Sequence, residues 1–383
     1  AKITISGGTV TANGGSANPG ISCQNDPTSE PADQDSWILI SGGTVYAYPK
    51  TGENGFTIRG NFRTDPNGNA FIVATSQGIT DKTNQGSWSG VIFDGGTDGK
   101  VYGNPILETD AEIPSGGKLT ISEGSSLTVP ENTTLTIPQG VTLTNNGTIA
   151  NNGTIANNGT IANNGTIINS GTIDGSGTLN GNPVSMPPVS YLTWDENGKN
   201  WTTPNCTDYT VVESSTAEKN EWQGGWYVVK DNIAIENRVT VKGDVHLILA
   251  DDAKLTANRG VQVPYPKDLT IYGQSAGSGE LEATATGESN IYCAAIGGSM
   301  NFQNMDVSPC GSITINGGTV TARGADMSAG IGGGPASGAD IVINGGTVNA
   351  TGGVNGSGIG GGMQGKGGSV IINGGEVTAK GGD

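Results

Sequence analysis

Four tryptophans, Trp194, Trp201, Trp222 and Trp226, stand within one short stretch of a chain whose aromatic share is only 5%. Indole rings bury large areas and stack on flat apolar faces such as those of sugars, so such a group can form a glycan platform or close the end of a hydrophobic core. Their neighbours separate the two uses. Trp194 and Trp201 stand among Asn, Gly, Lys and Thr and read as ligand-binding residues, whereas Trp222 and Trp226 lead into Tyr227, Val228 and Val229 and read as cap or core.

Catalysis asks for more than rings. A glycosidase needs two positioned carboxylates, and the one adjacent aspartate pair, Asp251 and Asp252, falls at an apparent turn where solvation accounts for it. A calcium-assisted lyase would need an acidic cluster beside an Arg or Lys base, and the acidic residues here are scattered. Neither an Asp-x-Asp-x-Asp loop nor a Gly-Gly-x-Gly-x-Asp repeat occurs. The single histidine, His246, alternates with Val245 and Leu247 and so points to the other face of its strand. Cys23, Cys206, Cys293 and Cys310 show no Cys-x-x-Cys spacing and no histidine cluster, which argues against zinc. Cys293 and Cys310 flank one loop and could be disulfide-bonded or free buried thiols. No catalytic residue, metal or cofactor is expected, and the alternative activity is a polysaccharide lyase or glycoside hydrolase of the β-helix type.

The elements that must position the tryptophans are repeats. One unit is written three times near the C-terminus, around Asn316, Asn344 and Asn373, so its period is constant to within a single position. Ala329-Gly-Ile-Gly-Gly-Gly recurs at the same interval, as Ser357-Gly-Ile-Gly-Gly-Gly. Apolar residues alternate in short runs, so Ile315, Ile331, Ile343 and Ile359 should fill inward columns. Asn-Gly-Gly between the runs suits a tight bend. Three strands and three turns per period make one triangular coil of a parallel β-helix, and a fixed period of this length is a solenoid signature. Stacked coils place the three asparagines in register, which predicts an internal amide ladder.

The same unit opens the chain at Ile3 and returns at Ile38, separated by the polar segment 24–36, expected as a surface loop. Residues 51–103 carry apolar runs at 71–74 and 91–93 and read as imperfect coils. From Leu119 apolar residues recur every eight positions (Leu119, Leu127, Leu135, Leu143), and from Ile149 every six (Ile155, Ile161, Ile167, Ile173, Leu179). Three octads would close one coil, and three hexads a smaller one. An Asn- and Gly-rich tract of this kind could be a linker, but a linker has no reason to keep one branched residue per turn. Pro183, Pro187 and Pro188 then interrupt any ladder.

Four segments follow: coils of a first module over 1–103, an octad and hexad solenoid over 104–182, a Pro- and Trp-rich junction or cap over 183–230, and a second module over 231–383. The fold expected is all-β, two parallel β-helix modules joined by a non-coil segment. The net charge of −17 disfavours nucleic acid, which rewards clustered Lys and Arg. No apolar run reaches the length of a membrane span. Because the chain starts and stops within the repeat pattern and solenoids need polar caps, it reads as an excised piece whose signal and anchor lie elsewhere.

Trp226-Tyr-Val-Val, the run from Val245 to Thr256, Leu269-Thr-Ile-Tyr-Gly-Gln-Ser and the Gly-Ile-Gly-Gly-Gly and Ile-Asn-Gly-Gly-Thr-Val units resemble modular β-helix segments of large adhesin-like surface proteins of anaerobic gut bacteria. The resemblance covers most of 189–383, and 103–147 is similar to the octad stretches of such proteins. It implies an extracellular or cell-surface location and a β-helical architecture, and only weakly an activity. With no catalytic constellation in the residues, the expectation is an elongated, non-catalytic, monomeric spacer that presents regions binding carbohydrate or a host surface.

Overall fold

A computed structural model describes residues 2–15, 19–23, 37–49, 57–59, 61–65, 67–79, 89–212, 220–285, 291–366 and 368–383. The segment 24–36, expected as a loop, lies outside the described residues. Those described form strands, turns and irregular segments with no helix, so none is long and apolar enough to cross a membrane. The chain divides into two compact units, Ala1–Pro187 and Pro188–Asp383.

In the first unit the octads and hexads set the architecture. Lys118–Ile121, Ser126–Val129 and Thr134–Ile137 enter three different sheets, and the next three strands pair with them in the same order and in parallel. Leu119 lies opposite Leu143, three octads on, and Ile161 lies opposite Leu179, three hexads on. The hexad strands Thr148–Asn151, Thr154–Asn157 and Thr160–Asn163 read Thr out, Ile in, Ala out, Asn in. The inward isoleucines Ile149, Ile155, Ile161 and Ile167 are fully buried, each such burial contributing about 1.5–3 kcal/mol. A Cβ at Gly165 would collide with the Gly147 carbonyl of the turn stacked beside it, so glycine is required at this close approach.

The inward asparagines form amide ladders. Asn145 Nδ2 donates to Asn163 Oδ1 at 2.8 Å and Asn151 Nδ2 to Asn169 Oδ1 at 2.6 Å, with second bonds to the carbonyls of Thr166 and Thr172. Where the ladders begin, the preceding strands carry Ile121, Val129 and Ile137 at the same register. These side chains offer no donor, and the Oδ1 atoms of Asn145, Asn151 and Asn157 consequently find no partner among the described residues.

The N-terminal part departs from this uniform parallel pairing. Lys2–Asn13 pairs in parallel with Trp37–Tyr48, Ile3 opposite Ile38. Ala70–Ala74 and Gly90–Asp94 continue the sheet in parallel, but Gly90–Asp94 then turns through Gly95, at φ 75°, into an antiparallel partner, Asp98–Tyr102. The latter pairs in parallel with Lys118–Ile121, so strand direction reverses within one continuous sheet. The runs at 71–74 and 91–93 are apolar at every position because both faces are covered. Ile72, Ala74 and Ile92 belong to the core of the N-terminal strands, while Phe71, Val73, Val91 and Phe93 belong to the core of the octad strands.

The second unit again distributes successive strands over three sheets, of seven, six and six strands. Ile313 lies opposite Ile341, and Ile341 opposite Val370. Ile315, Ile331 and Ile343 are fully buried and Ile359 partly so. The amide ladder runs through them, Asn344 Nδ2 to Asn316 Oδ1 at 2.8 Å and Asn373 Nδ2 to Asn344 Oδ1 at 2.7 Å. Cys293 and Cys310 flank an antiparallel meander of Ile291–Cys293, Ser299–Asn301 and Asp306–Ser308. Cys23, Cys206 and Cys310 are free thiols, all four cysteines are buried, and burial pushes the Cys310 thiol up to about 12, which keeps it protonated and unreactive.

Candidate functional site

Three parallel strands of the second unit, Gly225–Val229, Val245–Leu249 and Asp268–Gly273, build the surface on which the aromatic residues meet. Tyr227, Leu247 and Ile271 share one register and face the core. By alternation, Trp226 and His246 face outward, as do Val228, Ile248 and Tyr272. Val228 and Ile248 are nevertheless fully buried. The non-repeating segment that begins the unit runs over them: Leu192 N donates to the Gly273 carbonyl at 2.9 Å, and Gln274 Nε2 to the Ser190 carbonyl at 2.8 Å. Tyr191 packs edge-on to Tyr272 at 4.9 Å and against Trp226 at 4.7 Å.

Trp226 is therefore half-buried on the outer face, stacked on His246 at 4.4 Å and Tyr272 at 5.2 Å, where the sequence suggested a cap or core residue. Trp222 does enter the core: it is 1% exposed, pairs in register with Val241 and stacks on Tyr227 at 5.2 Å and 19°.

Trp194 and Trp201 come together on an antiparallel hairpin, Thr193–Asp195 with Asn200–Thr202, directly opposite one another and edge to face at 5.5 Å. Asp195 Oδ1 accepts the Asn197 amide at 2.9 Å, which fixes the turn. Trp194 is half-buried and Trp201 is 40% exposed. The Trp201 ring lies against Gly345, where an added Cβ would stand only 2.9 Å from the indole. The Asn-Gly-Gly bend of the repeat thus doubles as the seat of an exposed tryptophan.

His246 Nδ1 lies 3.0 Å from the Tyr272 hydroxyl. Burial lowers its pKa from 6.5, although Asp244 and Asp268 pull the other way, and burial pushes the Tyr272 hydroxyl up to about 12. Since the folded state holds the imidazole neutral, the unfolded chain takes up its proton first as pH falls. Stability is therefore fully present above 6.5 and is lost as pH drops from there through the lowered folded value. The melting temperature of the second unit should fall between pH 7.5 and 5, and His246→Phe should make that fall shallower, as thermal melts at stepped pH would record. An unchanged slope in the variant would dissociate His246 from the acid sensitivity.

Asp251 and Asp252 serve the turn beside them. Asp251 carboxylate oxygens accept the amides of Ala276 and Ser278, at 3.1 and 3.3 Å, and Asp252 Oδ1 accepts the Ser278 hydroxyl at 3.0 Å. Their acidity is spent on backbone geometry rather than aimed into a cleft. Among the described residues no group of three or more His, Cys, Asp or Glu is placed to hold a metal ion.

The cluster of Tyr191, His246 and Tyr272 around Trp226 escaped the sequence reading. Its signal was present in the unbroken apolar character of 245–249 apart from His246, which marks a strand covered on both faces.

The model of the beta helix repeat family matches residues 3–23, 313–335, 341–363 and 370–383, in both units. This supports a β-helix repeat protein and fits the parallel ladders described above. No curated protein matches the chain, and no solved structure does.

Proposed function

We propose that the three sheets of each unit close into triangular coils and that the protein is a non-catalytic, adhesin-like spacer at the cell surface or outside the cell, carrying a carbohydrate-binding region. The observation that carries the reading is Trp201: an indole 40% exposed, braced edge-on by Trp194 and seated on the glycine of a repeat turn. Exposed aromatic area is costly to leave in water, and a ring held rigid loses little entropy on stacking against a sugar. The repeats beneath it supply a stiff, evenly spaced support. A host-surface glycan is the partner proposed, and neither a metal nor a cofactor takes part.

The test is a glycan array probed with the wild-type chain and with Trp201→Ala, alongside assays of pectins, alginates and host glycans for new reducing ends or unsaturated products. Binding that weakens by on the order of tenfold in the variant, while its melting temperature holds, is the expected result. Turnover of any polysaccharide would instead favour a β-helix lyase or hydrolase, and binding indifferent to Trp201 would remove the site.

A further inference from the structure

The outer face of strand Trp37–Tyr48 carries a second aromatic pair. Tyr46 and Tyr48 stand two residues apart and so on one face, with ring planes parallel to within 1° and centroids 6.4 Å apart. Further up the same face Thr44 is sealed by a 2.7 Å contact between its hydroxyl and that of Thr109, and Glu108 Oε2 accepts the Gly43 amide at 2.7 Å. At the tyrosines the cover withdraws. Between this face and the segment from Glu112 to Ser115 lies a cleft of about 410 Å³, lined by Tyr46, Tyr48, Val73, Thr75, Glu112 and Ser115 among others. Tyr46 is half-buried at its base and packs on the octad core, while Tyr48 at its rim is 37% exposed.

We infer that this cleft binds a neutral oligosaccharide, independently of Trp201. Its size lies at the small end of the roughly 300–1,000 Å³ of ligand sites. Parallel rings accept the C–H face of a pyranose; at its rim the Ser115 hydroxyl can donate or accept, while the Thr75 hydroxyl, which donates to the Ala47 carbonyl, and the exposed Glu112 carboxylate accept hydrogen bonds from sugar hydroxyls. Charge selects the class. The lining residues include one carboxylate and no Lys or Arg, and the chain carries a net charge of −17, so uronides, sulfated sugars and phosphates meet repulsion with nothing to offset it. The inference rests on the reading of the protein as a glycan binder and adds to it a second site with its ligand class.

The experiment is titration calorimetry with a panel of neutral hexasaccharides (β-glucan, xylan and mannan types) and of hexagalacturonate, against wild type, Tyr48→Ala, Glu112→Gln and Trp201→Ala. Tyr48 is exposed enough that its truncation should leave the fold intact, which a melt verifies. A neutral oligosaccharide should bind the wild type, weaken by on the order of tenfold in Tyr48→Ala, weaken by a smaller factor in Glu112→Gln, and bind Trp201→Ala with measurable affinity through this cleft. Hexagalacturonate should not bind. If glycans bind but respond only to Trp201→Ala, the cleft is overturned while the broader reading stands. If no sugar binds any variant, both fall, and preference for the galacturonide would refute the charge argument.

Discussion

Ile343→Asp should unfold the second unit or lower its stability by about 5 kcal/mol or more, because it places a carboxylate at a fully buried position, in register with the equally buried Ile315 on one side and with Ile372 on the other, and burying an unpaired charge is costly. A buried acid escapes part of that cost by staying protonated, so the loss should be larger at pH 8 than at pH 5. Repeat stacks hold together through nearest-neighbour interfaces, and a break at this rung separates the strands on either side from mutual support. The control is Asn349→Asp, the same product residue on an outward, exposed position of the following strand, which should stay within roughly 0.5 kcal/mol of wild type. Denaturant melts of the two variants decide the matter: equal stabilities would show that Ile343 does not face the core.

Trp222→Ala comes next, with an expected loss of about 3–5 kcal/mol, the range for truncating a large buried aromatic residue. Trp222 sits on the first strand of its sheet and stacks on Tyr227, so its removal opens a cavity with only one neighbouring strand of that sheet to relax into it. Trp222→Phe should recover much of the loss. The ring stays on Tyr227, and the indole Nε1, which finds no acceptor among the described residues, no longer has to be buried. Trp226→Ala is expected to cost less than Trp222→Ala, since the half-buried Trp226 gives up aromatic stacking worth about 0.5–1.5 kcal/mol per ring pair and a smaller buried area. A larger loss at Trp226 than at Trp222 would reverse the assignment of core and outer face.

The repeats were legible because stacked parallel strands write their register directly into the spacing of identical residues. Leu119 and Leu143, Ile161 and Leu179, and the column from Asn316 to Asn373 pair as their separations dictate. Periodicity, however, reports one buried face. It does not say what covers the other, and at 71–74 and 91–93 the second covering is an entire additional core. The same blindness hid the surroundings of Trp226: its strand looked like the entrance to a core because Tyr227, Val228 and Val229 are all apolar, and two of those three face inward while Val228 does not. Tyr191, which lies over that face, belongs to a segment with no repeat, so nothing in the spacing announced it. Trp194 and Trp201 were found through composition, but the seating of Trp201 on Gly345 joins a hairpin to a repeat turn far along the chain, a contact that no local pattern encodes.

The reversal at Gly95 bears on handedness. The sense in which a chain winds about an axis is fixed by three choices: the direction of its strands in one sheet, the side of that sheet on which the remainder of each turn lies, and the direction of advance. In the first unit the order of strands along the shared sheet advances without interruption. Strand direction inverts at Gly95, and the core passes at the same place from the Ile72 and Ile92 face to the Phe71 and Phe93 face. Two inversions cancel, so coils of the kind proposed above would wind with the same hand before the hairpin and after it. That outcome suits the backbone, whose strands twist with one chirality throughout, and it lets one sheet serve two cores without exposing an edge strand where they join.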